Sequence, residues 1–233
     1  MRNRSSRLRK RFDLCRGDWQ VALFRDSSVK SQPRAVNCKS MTHEEHLKEI
    51  VLQSPLLEPV LVALEHQNLE QGYLCAGGVA QTVWNHLLGK PLEYGIKDLD
   101  VIYFDSSDLS EESEVQTSHA LERLLKNGSV PLDVKNEARV HLWYKRRFGY
   151  SIAPYLSSKD ALASFPTTAT AVGVRLARGR LEVCAPFGLD DLFALIVRPN
   201  PRQITLEIYQ NYCERWSSRW PELTYLPWGD LKS

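Results

Sequence analysis

Seven residues, Asp98-Leu99-Asp100-Val101-Ile102-Tyr103-Phe104, constrain this chain more than any others. Their β-branched and aromatic side chains make the run a strand. Yet it carries two aspartates, a residue that strands disfavour. Residues i and i+2 of a strand share a face, about 6.5–7 Å apart. Asp98 and Asp100 therefore stand side by side, at a spacing that suits a pair of divalent cations about 3.5–4 Å apart. Alone, the pattern reads equally as two solvated acids at a strand mouth.

The residues upstream shift that balance. Tyr73-Leu74-Cys75-Ala76 is a short apolar strand, Gly77-Gly78 follows, and Val79 to Leu88 reads as a helix stopped by Gly89 and Pro91. A strand that runs through Gly-Gly into a helix offers bare backbone N–H groups and a positive helix end, which is a phosphate cradle. The same glycines also serve an ordinary tight turn. A metal pair then asks for a third acid on a neighbouring strand, to share a cation or take a proton. Asp133, within Leu132-Asp133-Val134, supplies one; Glu182, within Leu181-Glu182-Val183, is the rival.

Elsewhere the pattern alternates helices and strands. Thr42 and Glu45 make a capping box for a helix to about Gln53, and Ser54-Pro55 starts a second helix through Leu64. Asp105 to Glu114 reads as an acidic loop, followed by a helix ending near Asn127-Gly128. Leu132 to Tyr144 reads as an interrupted strand, and Ser157 with Asp160 caps a short helix. Ala171–Ala177 and Arg180–Cys184 form a hairpin about Arg178-Gly179. Phe187-Gly188 introduces a helix that Pro199-Asn200-Pro201 breaks, and a last helix runs from Arg202 to about Trp216. The order αα-βαβ-αβ-α-ββ-αα predicts an α+β fold, a small mixed β-sheet flanked by helices.

Charge divides the 233 residues in two. Residues 1–40 hold eleven Lys/Arg and three Asp, a net +8, while the remainder is net −6. The expectation is a basic, disordered tail over 1–40, with nucleic-acid contact as its functional alternative, or a true start at Met41. Residues 41–233 then form one domain. Hydrophobic and charged contents of 43% and 25% exclude a wholly disordered chain. No apolar run nears the roughly 18 residues of a membrane span. Five scattered cysteines without a Cys-x-x-Cys pair argue against a disulfide framework and a structural zinc site, and point to a reducing cytoplasm. Cys75 and Cys184 read as buried thiols, and His43 and His46 as exposed helix residues.

Strand, Gly-Gly, helix, Asp-x-Asp and a later acid between apolar residues together resemble the DNA-polymerase-β-like nucleotidyltransferase superfamily. The stretch from Gly77-Gly78-Val79 through Leu87-Leu88-Gly89-Lys90-Pro91 to Asp98-Leu99-Asp100 is similar to the head domain of tRNA CCA-adding enzymes. The blocks Leu132 to Tyr144 and Ala185-Pro186-Phe187-Gly188-Leu189-Asp190-Asp191-Leu192 resemble a poorly characterised bacterial nucleotidyltransferase-like family. The resemblance spans about residues 45 to 220. It implies a mixed sheet flanked by helices and Mg²⁺-dependent transfer of a nucleoside monophosphate from an NTP, with Mn²⁺ as a substitute ion. Gly77 and Gly78 would hold phosphates, and Asp98, Asp100 and Asp133 (or Glu182) the metal. Gln81-Thr82 replaces the Arg-Asp pair of CCA-adding enzymes, which weakens tRNA as substrate.

Supporting residues follow. Lys135 and Arg139 are placed to neutralise triphosphate charge. His141, Trp143 and Tyr144 suit base stacking, or simply one apolar face of a strand. Lys145-Arg146-Arg147 with Tyr150 and Tyr155 suits an acceptor nucleic acid or a solvated loop. Asp190 and Asp191 suit a helix start. The acceptor stays open among a protein hydroxyl, a small molecule such as an aminoglycoside, and an RNA end. Two other classes compete: a non-catalytic nucleotide- or RNA-binding module, and a toxin–antitoxin-type interaction protein.

Overall fold

A computed structural model describes residues 41–125 and 130–229. The expectations for the basic tail, and for a helix end at Asn127-Gly128, lie outside the described residues. Helix α1 (His43–Gln53) opens with the capping box: the Thr42 N–H donates to Glu45 Oε2 at 2.8 Å and the Glu45 N–H to Thr42 Oγ1 at 3.2 Å. Helix α2 (Leu57–Gln67) ends at Asn68, whose left-handed backbone closes it. Strand β1 (Tyr73–Cys75) runs directly into α3 (Ala76–Leu87), and β2 (Leu99–Tyr103) follows.

Helix α4 (Glu111–Leu124) begins inside the expected acidic loop, because Ser110 caps it and three glutamates favour its first turn. Strand β3 (Leu132–Asn136) is much shorter than expected. Asn136 ends it by accepting from the Ala138 N–H and the Asp105 N–H, and a 3₁₀ turn leads into α5 (Val140–Phe148). Apolar residues at Val140 and Tyr144 satisfy a period of two and an i, i+4 spacing alike, so the pattern could not separate strand from helix.

Helix α6 (Ser158–Leu162) precedes the hairpin of β4 (Gly173–Ala177) and β5 (Arg180–Cys184). Its turn has positive φ at Arg178 and Gly179, as a tight hairpin requires. The helix expected after Gly188 is one turn, α7 (Asp190–Phe193), followed by β6 (Ile196–Val197). Helix α8 (Leu206–Ser217) and β7 (Thr224–Tyr225) complete the chain.

The main sheet has the order β3-β2-β1-β4-β5, with β2 and β3 parallel and the other neighbours antiparallel. It is the mixed sheet expected of an α+β fold. One face, bearing Leu74, Leu99, Val101, Val134 and Val174, is buried under α1 to α4. Strand alternation sends Asp100, Ile102, Asp133 and Lys135 to the other face. At the far end, Trp84 and Trp220 are fully buried with ring centroids 5.9 Å apart. Trp220 Nε1 donates to Asn85 Oδ1 at 2.8 Å, and Asn85 Nδ2 donates to the carbonyls of Leu92 and Tyr94. That network fixes the loop leading into Asp98.

Candidate active site

The register of two parallel strands creates the site. Asp100 on β2 stands opposite Asp133 on β3, which brings their Cα atoms to about 4.8 Å. Asp98 precedes the strand by one residue and lies on the same face. The three acids line one cavity of 430 Å³, together with Ala76, Gly77, Gln81, Lys97 and Lys135. Arg147 from α5, Tyr212, Arg215 and Trp216 from α8, and Arg219 beyond it line the rest.

At the junction of β1 and α3 the sharp turn falls on Ala76, with φ of +57°, and not on a glycine. Gly77 and Gly78 lie inside the first helical turn instead of preceding it. Their reasons differ. A Cβ on Gly78 would come within 2.6 Å of Leu99 Cδ2, so this glycine lets α3 lie close on β2. Gly77 faces the cavity, and its N–H donates toward the Asp100 carboxylate. No side chain caps α3, so its first N–H groups present partial positive charge to the cavity.

Burial, then the charges of Asp98 and Asp133, push the Asp100 carboxyl up to about 7. Lys135 answers part of this charge through an ion pair with Asp133. Among the described residues, no three carboxylate, histidine or cysteine groups are already gathered as a metal cluster. The donor set still fits Mg²⁺, which binds through one or two carboxylates plus substrate phosphates and keeps several waters.

The structure adds one acid that sequence reading passed over. Glu137, in the 3₁₀ turn after β3, is 6% exposed and lines the same cavity. Burial, then Glu114, pushes its carboxyl up to about 8. Its spacing of four from Asp133 was the one signal, since on the expected strand it put both acids on one face.

Other expected residues sort differently. Glu182 lies on β5, three strands from β2 and so about 14 Å across the sheet. It is paired with Arg175 at 2.6 Å. Arg139 is buried away from the cavity, donating to Glu114 Oε1 at 2.8 Å and to the Leu109 carbonyl. It was expected at a triphosphate because the strand was read too long; a helical turn at that point swings it toward α4. Trp143 and Tyr144 line a second, smaller cavity, which His141 does not border. Of Lys145, Arg146 and Arg147, only Arg147 reaches the main cavity. Asp191 accepts from Thr168 Oγ1 at 2.6 Å and from Arg198, and Asp190 pairs with His43. The Cys75 thiol is buried and pushed well up by burial, which makes it no nucleophile.

Two stability results are expected. Arg139→Ala leaves the Glu114 carboxylate buried and unpaired, so unfolding free energy falls by about 3–5 kcal/mol in denaturant titration; a loss under 1 kcal/mol would contradict the pairing. The second concerns pH. Asp100 and Glu137 have folded values raised above the unfolded ones, near 4. Their contribution is complete below about pH 4 and is lost as pH rises through about 7 and about 8. Chelator-treated protein should therefore melt several degrees lower at pH 8.5 than at pH 5.5, at about 2–4 °C per kcal/mol. Mg²⁺ should restore part of the difference, and a flat profile would contradict the burial.

Comparison with known proteins agrees with this geometry. A family model described as "Nucleotidyltransferase" matches residues 62–225. A solved structure described as "The NMR structure of the protein reveals a CCA-adding enzyme head domain" is similar over 81% of this chain and 97% of its own. The identity is 28% and the TM-score 0.64. A search of curated proteins returns no match.

Proposed function

The chain belongs to a nucleotidyltransferase family, and from that membership we propose that its carboxylate cavity moves a nucleoside monophosphate from an NTP to a hydroxyl acceptor. The observation that carries this reading is the pairing of Asp100 with Asp133 across β2 and β3, with Asp98 beside them. Asp98, Asp100 and Asp133 hold the divalent cation. Mg²⁺, when bound, supplies positive charge to the attacking and leaving oxygens.

The chain's own groups do the rest. The uncapped start of α3 faces the outer phosphates, with the bare Gly77 letting them approach and Lys97, Arg215 and Arg219 neutralising them. The acceptor oxygen bonds to the α-phosphorus in line, the bond to pyrophosphate breaks, and Asp133 takes the hydroxyl proton. Positioning and electrostatics carry such a reaction, so no nucleophilic side chain is needed.

The test is incubation of the full chain with each α-³²P-labelled NTP and Mg²⁺ or Mn²⁺ in cell extract. A labelled protein, RNA or small molecule that vanishes with Asp100→Asn is the expected result. Label appearing equally with the variant would overturn the assignment.

A further inference from the structure

Next to the carboxylate cavity lies a second one of 190 Å³, and the two share Lys135, Glu137, Phe165, Pro166 and Tyr212. Its own walls are mostly aromatic and aliphatic, with Trp143, Tyr144 and Phe148 from α5, Tyr155, and Ile204 with Ile208 near and on α8, and with Ser164 and Gln203 as polar exceptions. A cavity of about 150 Å³ lined by apolar groups accepts benzene, so this one holds a single ring. The Glu137 carboxyl stands at the junction, 6% exposed, with no hydrogen bond among its electrostatic contacts. A carboxyl at that place can accept from an O–H or N–H that enters the junction.

Helix α8 gives the direction. Arg219, Arg215, Tyr212 and Ile208 follow at steps of three and four, one face of the helix and its exit, roughly 16 Å from end to end. The arginines border only the carboxylate cavity, Tyr212 borders both, and Ile208 only the aromatic one. Strand β3 and the turn after it repeat the order: Asp133 at the carboxylates, then Lys135 and Glu137 at the junction. In-line displacement puts the attacking and leaving oxygens on opposite sides of phosphorus. With pyrophosphate at the arginines and the α3 N-terminus, the nucleophile comes from the aromatic end.

We propose, resting on the nucleotidyl-transfer reading, that this aromatic cavity is the acceptor subsite and takes one phenolic ring, whose hydroxyl is the group modified. The ring stacks among Trp143, Tyr144 and Tyr212, with its hydroxyl turned past Glu137 toward the carboxylate cavity. The phenolic oxygen bonds to the α-phosphorus, the bond to the pyrophosphate oxygen breaks, pyrophosphate leaves with that electron pair, and the proton passes to Asp133.

The test uses the full chain with two phenols, 4-ethylphenol as the free compound and N-acetyltyrosinamide as the tyrosyl source. The non-planar control is 4-ethylcyclohexanol. Binding is followed by saturation-transfer NMR, with ATP·Mg²⁺ affinity measured separately. At least one phenol should bind about tenfold or more tighter than the control. Ile208→Trp, which fills the cavity, and Trp143→Leu, which strips a wall, should each weaken that phenol about tenfold. Both should leave ATP·Mg²⁺ affinity within about twofold, with melting curves confirming the fold. Equal binding of phenols and control overturns the proposal. So does a matching loss of ATP·Mg²⁺ affinity in the variants, which would make this the donor's base pocket. No Mg²⁺-dependent binding of ATP, GTP, CTP or UTP in the wild type would instead overturn nucleotidyl transfer, and the acceptor role with it.

Discussion

Asp100→Asn and Asp98→Asn each lower nucleotidyl transfer by about 10³-fold or more, while the far-ultraviolet circular dichroism stays unchanged. Loss of one positioned electrostatic group costs about 10²–10³ in turnover, and a lost cation ligand removes charge from both reacting oxygens together. The fold should survive because neither aspartate packs the core: Asp98 is exposed, and Asp100 is half-buried on the cavity face. Asp100→Asn should even melt higher than wild type without metal at pH 8, since it removes a half-buried charge held among Asp98 and Asp133. Near-normal turnover in either variant, with intact dichroism, would end the metal assignment.

Asp133→Asn and Glu182→Gln give the sharper contrast. Asp133 stands directly opposite Asp100, whereas Glu182 is spent on Arg175 three strands away. Turnover should fall about 10²-fold or more for Asp133→Asn, the scale of a positioned acid–base group. Glu182→Gln should change it less than about twofold, because Glu182 lies three strands from the carboxylates. Metal titration adds a second reading. Asp133→Asn should raise the Mg²⁺ concentration needed for half-maximal rate, and Glu182→Gln should leave it alone. A large loss confined to Glu182→Gln would move the role to β5 and require the strands to be ordered otherwise.

Local rules read much of this fold from the sequence. The Thr42–Glu45 capping box, the strand at Tyr73–Cys75, the Asp-x-Asp strand and the Arg178-Gly179 hairpin each depend on residues within a few positions of one another. Pairing Asp98 with Asp100 needed only the two-residue period of a strand. Where two periods coincide, as at Val140 and Tyr144, pattern reading made a strand of a helix, and Arg139 was assigned to phosphate with it. The one-turn α7 was likewise overextended.

Sequence alone determined the common face of Asp98 and Asp100 and the α+β class, because each is written in neighbouring residues, whereas the turn before α3 fell on Ala76 and not on the glycines. Strand order was decided only in three dimensions, and it is strand order that separates Asp133 from Glu182, two acids with the same apolar flanks. Burial, too, is a property of the packed chain. Glu137 became a perturbed acid at the junction of two cavities because α5, α8 and the loop at Phe165 close around it. The work of α8, aligning arginines, Tyr212 and Ile208 along the site, depends on a helix some eighty residues beyond Asp133 folding back over the sheet. Residues that far apart in a chain meet only when the hydrophobic core fixes which elements lie against which.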